Sequence, residues 1–151
     1  MDKDFIKYTW KDRGSDERQY CAPLIDLPIA SMMRSKFHEY HEYHTSLDNL
    51  NFISPEGLLG GFEINRLAIQ AIERNQFYKT NILCEPQLSK RGMYSATGNM
   101  HDYEKNLYLE ILTWCDGKND LLEIAEKTEM PIWKLYPYID EMLKRGLISQ
   151  S

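Results

Sequence analysis

The sequence predicts an α/β chain in two parts, a mixed segment followed by a small helix-rich domain that closes on a strand. Three observations carry this. Leu27–Met33 (LPIASMM) is a short apolar run bounded by turn-forming residues, the pattern of a buried strand. Residues 54–79 open on Ser-Pro-Glu and carry apolar side chains at helical spacing. Residues 101–151 show three helical stretches separated by turn signals, then Leu147–Gln150.

The chain has 151 residues, room for one ordinary domain or two small ones. Its net charge is −5, whereas a duplex-binding protein draws much of its affinity from basic side chains on phosphate. No run approaches the roughly 18 apolar residues of a membrane span. The opening MDKDFIKYTW is charged and lacks an apolar signal core, so a cytoplasmic protein is expected. Cys21, Cys84 and Cys115 form no CxxC pair, and buried free thiols are the expectation for all three.

Taken in order, Phe5–Trp10 suits a short strand and Ser15–Cys21 one helical turn, with Ser15 as cap and Glu17 in the first turn. Pro28 stands at the start of the Leu27–Met33 strand, where proline is tolerated. In the long helix Ser54 is the N-cap, Pro55 takes the first position and Glu56 suits the first turn. Leu58, Phe62, Leu67, Ala68, Ala71 and Ile72 lie broadly on one face. Gly60 and Gly61 weaken that helix, which implies close packing or a boundary there. Residues 81–100 are rich in Pro, Gly, Ser and Asn, and their Cys84, Leu88, Met93 and Tyr94 imply a connector packed on the body. The domain boundaries expected are therefore 1–80, 81–100 and 101–151.

In the last part helices are expected at Asp102–Trp114, Asp120–Thr128 and Pro131–Arg145, with Asp116-Gly117 a turn and Gly146 ending the third. Leu121, Leu122, Ile124 and Ala125 point inward from the second, and Ile132, Leu135, Ile139, Met142 and Leu143 from the third. The helix-turn-helix order and the Lys-Arg-Gly-Leu-Ile exit into a strand resemble winged-helix proteins. A recognition helix for DNA presents Arg, Lys, Asn, Gln or Ser to base edges. This one offers Pro131, Trp133, Lys134, Tyr136 and Pro137, and Pro137 is a candidate kink. Seven acidic and five basic side chains lie between Asp116 and the end. Nucleic acid is not expected. Exposed Trp133, Lys134, Tyr136 and Tyr138 suit a protein-binding surface.

His38, His41 and His44 sit at intervals of three in KFHEYHEYHTSLD. Imidazole is a common zinc ligand, but this spacing fits neither one face of a strand nor a tight helical cluster. The surrounding residues carry a resemblance. Ser15-Asp16-Glu17, the Leu27–Met33 run, His44-Thr45-Ser46-Leu47-Asp48-Asn49-Leu50 and the helix from Ser54 are similar to the closing section of the leucyl-aminopeptidase-like zinc exopeptidases. Glu17 replaces that family's usual His. GSDERQYCAP, EYHTSLDNL, CEPQLSKRGMY and DGKNDLLEIAE resemble more closely a subgroup with a carboxy-terminal winged helix, found with polysaccharide-biosynthesis genes.

The resemblance implies that His44 is the last zinc ligand of a two-zinc site that hydrolyses an amide bond in a peptide-like small molecule. It implies that Asp16 and Glu17 shape that site from behind the ligands. The remaining ligands and the general-base Glu match no position in this sequence, so no catalytic residue is assigned and zinc is expected to bind weakly or not at all. A catalytic zinc normally takes three protein ligands. Apolar faces at Leu27, Ile29, Leu67 and Ile72 then need a partner, either the absent amino-terminal half or a second copy. Two alternatives stand beside this reading. One is a non-enzymatic interaction or regulatory module working through the winged helix. The other is a self-contained metal site at His38, His41 and His44.

Overall fold

The computed structural model describes residues 5–93 and 102–151, with the side chains of 102–105 outside the description. It divides into two compact units, residues 2–66 and 67–151, the division falling within one long helix.

The first unit contains α1 (Glu17–Tyr20) and most of α2 (Pro55–Arg74). Two expected strands are absent. Phe5–Trp10 runs irregularly into a 3-10 turn at Trp10–Asp12, and residues 27–33 form no ladder. A strand exists through its hydrogen-bonded neighbour, and no described strand lies beside either segment. Leu27, Ile29, Met32 and Met33 are accordingly 40–45% exposed. The unit is held by polar and aromatic contacts. Lys36 lies 3.8 Å from Asp12 and 3.6 Å from Glu39, and the Tyr8 hydroxyl donates to Glu39 at 2.8 Å. The Ser54 hydroxyl accepts from the Gly57 N–H at 3.1 Å, which caps α2 as its sequence implies. Gly57 and Gly60 admit the Arg34 guanidinium, which donates to the Gly57 carbonyl at 2.9 Å. A methyl group at either glycine would stand 3.3 Å from Arg34 Nη1, whereas Gly61 faces open space.

The second unit holds the end of α2, β1 (Phe77–Thr80), α3 (Asp102–Trp114), β2 (Asp116–Asp120), α4 (Leu121–Lys127), α5 (Ile132–Lys144) and β3 (Ile148–Gln150). The three strands form an antiparallel sheet in the order β2-β1-β3. α2 stops at Arg74 instead of running to 79, because Phe-Tyr-Lys-Thr has strand partners on both sides. β2 is built from Asp-Gly-Lys-Asn-Asp, poor strand formers of which Asp116-Gly117 reads from sequence as a turn. The Asp116 carboxylate accepts from the N–H groups of Lys118 and Asn119 at 2.8 and 3.2 Å, so a local turn is kept inside the ladder. Tertiary pairing outweighs propensity here.

The core lies between this sheet and the three helices. Ile111, Cys115, Leu121, Ile124, Leu135, Ile139, Met142 and Leu147 are fully enclosed. Leu88 of the connector is 1% exposed, and Ile82 and Met93 pack against the same core. Residues 94–100 lie outside the described residues. The three helices match their sequence expectations closely, and Gly146 takes the left-handed φ of 68° that ends α5. Pro137 leaves α5 unbroken, sitting on its exposed side. Leu122 and Leu143, expected inward, are 42% and 37% exposed. Of the cysteines only Cys115 is buried, its thiol pushed up to about 12 by desolvation, while Cys84 is exposed. No helix among the described residues is long and apolar enough to cross a membrane.

Candidate functional site

His44 lies in a chain of tight turns. The Thr45 hydroxyl donates to the Glu42 carbonyl at 3.0 Å and accepts from the Leu47 N–H at 3.2 Å. Asn49 Oδ1 accepts from the Asn51 N–H at 2.9 Å. Ser, Thr and Asn form such local turns readily. His38 and His44 both adopt left-handed backbone, φ 67° and 57°, which non-glycine residues favour little.

The imidazoles do not converge. The His44 ring stacks on Tyr43 at 4.0 Å with 14° between planes, and His38 meets Tyr43 edge-on at 4.8 Å. Phe37 packs edge-on to His38 at 5.5 Å. Tyr43 therefore separates the two histidines, and His41 stands exposed outside the cluster. Among the described residues no three of His, Cys, Asp or Glu come together as a metal site requires. Among the described residues the donors do not by themselves fit a resident zinc ion. The stacking role of Tyr43 was not read from the sequence. Its signal was the Tyr-His alternation of EYHEYH.

Asp16 occupies the N-cap position of α1 without a side-chain cap bond. Glu17 is engaged in bracing. Its carboxylate accepts from the Gly14 N–H at 2.9 Å, the Ser15 N–H at 3.2 Å and the Ser31 hydroxyl at 3.1 Å. The Gly14 bond, with smaller help from Ser15 and Ser31, holds the carboxyl down at about 2. A folded pKa below the unfolded one stabilises the fold above the unfolded value, and that contribution is lost as pH falls through the folded one. The Gly14–Ser31 tie is thus expected to be complete above pH ~4.5 and to loosen towards pH 2. A carboxyl-carbon NMR titration would show a Glu17 midpoint near 2, and a midpoint above 4 would contradict the bracing role.

In the second unit Trp133 is 45% exposed and Lys134 is exposed. Tyr136, expected beside them, faces inward at 8% exposure. The guanidinium of Arg74 lies 4.2 Å above its ring and forms an ion pair with Asp140 one turn later, which explains the reversal. Tyr138 is half-buried, edge-on to Tyr108 at 4.9 Å.

The chain has two parts, an amino-terminal segment similar to part of an aminopeptidase-like protein and a winged helix-turn-helix domain. Residues 76–150 match the family described as winged helix-turn-helix, and residues 1–75 match the family described as Domain of unknown function (DUF4910). A Clostridium acetobutylicum protein named for polysaccharide biosynthesis and an aminopeptidase-like domain is 39% identical over 138 residues, covering 89% of this chain and 32% of its own length. A crystal structure from the same organism, described as a peptidase, superposes with a TM-score of 0.79 at 35% identity, over 93% of this chain and 31% of that one. The chain thus spans about a third of the length of the relatives it matches.

Proposed function

We propose that this chain is the carboxy-terminal part of a zinc aminopeptidase-like protein, that it contributes His44 as one metal ligand, and that amide hydrolysis requires polypeptide beyond this sequence. The carrying observation is energetic. None of residues 5–66 is buried. Ordering that length costs on the order of 60 kcal/mol or more in backbone entropy, at about 1–2 kcal/mol per residue. Burial of apolar surface is what normally offsets such a cost, and here Leu24, Leu50, Leu58 and Phe62 are 62–105% exposed. A surface of this kind is that of a fold component whose packing partner is another stretch of protein. The likeness to one third of a peptidase-like chain supports the reading that this partner is the remainder of such a domain. His44, exposed on an aromatic shelf, is then one wall of a cleft.

Calorimetric zinc titration tests this. The 151-residue chain alone is expected to give no stoichiometric tight binding. Joined to the remainder of the peptidase-like domain from the Clostridium acetobutylicum relative, it is expected to bind zinc, and His44→Ala to weaken that binding about tenfold or more. Tight binding by the short chain, or an unaffected His44→Ala in the joined protein, would overturn the proposal.

A further inference from the structure

The corner where α2 ends and β1 begins engages three other elements within three residues. Arg74 holds α5 through Asp140 and the Tyr136 ring. Asn75 uses both ends of its amide on the start of α4. Its Oδ1 accepts from the Leu122 N–H at 2.9 Å, and its Nδ2 donates to Asp120 Oδ2 at 2.9 Å. The Gln76 carbonyl accepts from the Leu121 N–H at 3.1 Å, and its Oε1 accepts from the Gln150 side chain on β3 at 2.9 Å.

The first N–H groups of any helix lack partners within it. In α4 the local capping box satisfies two, Glu123 N–H donating to Asp120 Oδ1 and Asp120 N–H donating to Glu123 Oε2, each at 2.9 Å. The other two, on Leu121 and Leu122, are satisfied from residues 75 and 76. At 7 residues α4 is far too short to persist alone. Half of its cap therefore comes from a segment some 47 positions earlier. The same segment then enters the sheet as β1, whose two edges are both occupied, by β2 and β3. Without β1 the two outer strands have no common partner.

We propose that the α2–β1 corner is a folding latch: the helix-turn-helix and its sheet are ordered only while residues 74–76 are held in place, so displacement of the end of α2 releases α4, β1 and β3 together. The winged helix would thereby report on whatever seats or unseats that helix end.

Hydrogen exchange followed by mass spectrometry on the full chain decides it. Asn75→Ala is expected to speed exchange about tenfold or more in β1, α4, α5 and β3 by one common factor, as a single opening unit does. Gln76→Ala, which keeps the carbonyl bond to Leu121, gives a smaller common factor and serves if the first variant fails to fold. Asn65→Ala, on an exposed part of α2, leaves these segments unchanged. Acceleration confined to residues 121–123, with β1, α5 and β3 still protected, would reduce Asn75 to a local cap and overturn the latch.

Discussion

A polypeptide trimmed to residues 102–151 is expected to show no cooperative thermal transition, whereas one that begins at residue 67 unfolds in a single step. The difference lies in what residues 67–93 bring. β1 is the middle strand of the sheet, and its Tyr78 is 5% exposed. Leu88 is 1% exposed and closes the same core. Deleting one buried side chain of this size costs about 2–5 kcal/mol, and small domains have only about 5–15 kcal/mol in all. The shorter piece loses two such side chains, both ladders of its sheet and half the cap of α4. At about 50 residues it has little core to spare. Circular dichroism during a melt distinguishes the two, and a sigmoidal transition from the shorter piece would refute the assignment of β1 as indispensable.

That boundary was the part of the winged-helix unit least legible in the sequence. Texture placed it at residue 101, after a connector rich in Pro, Gly and Ser, while the compact unit begins at residue 67. Helix periodicity is a local signal, and α3, α4 and α5 were readable to within a residue or two because their apolar spacing and bounding turns are local. Strand pairing is not local. Phe77–Thr80 continued an amphipathic helix in one dimension, and only partners near residues 116–120 and 148–150 make it a strand. Asp116–Asp120 is the same case with the opposite error, a turn sequence drawn into a ladder. In the first unit the failure runs the other way. Leu27–Met33 has the composition of a buried strand, and nothing described in this chain pairs with it.

The candidate site was legible as a motif and not as a geometry. His44-Thr45 and Asp48 could be recognised by order and spacing, and the turns they form follow from Thr and Asn chemistry. The position of each ring could not be read that way. Tyr43 parts His38 from His44 through contacts that depend on two left-handed residues, a backbone choice with no simple sequence signal outside glycine. Glu17, placed behind the ligands by resemblance, turns back on Gly14, Ser15 and Ser31.

Within the winged-helix unit, Ile139→Ala is expected to lower stability by about 2–5 kcal/mol, and Leu122→Ala and Leu143→Ala by about 1 kcal/mol or less each. All three residues read as inward from sequence. Ile132, Leu135, Ile139 and Met142 follow one another at three- and four-residue steps and define a single stripe, which the structure buries. Leu143 follows Met142 directly, about 100° further round the helix, and Leu122 stands in the same relation to the enclosed Leu121. Their methyl groups keep much of their contact with water, so truncation forfeits little transfer energy and opens no cavity. Ile139 is 0% exposed, and its loss leaves a void between α5 and the sheet that close-packed neighbours cannot refill. Denaturant unfolding of residues 67–151, followed by tryptophan fluorescence at Trp114 and Trp133, measures each change. Equal losses at Ile139 and Leu143 would mean that α5 is turned from the orientation described.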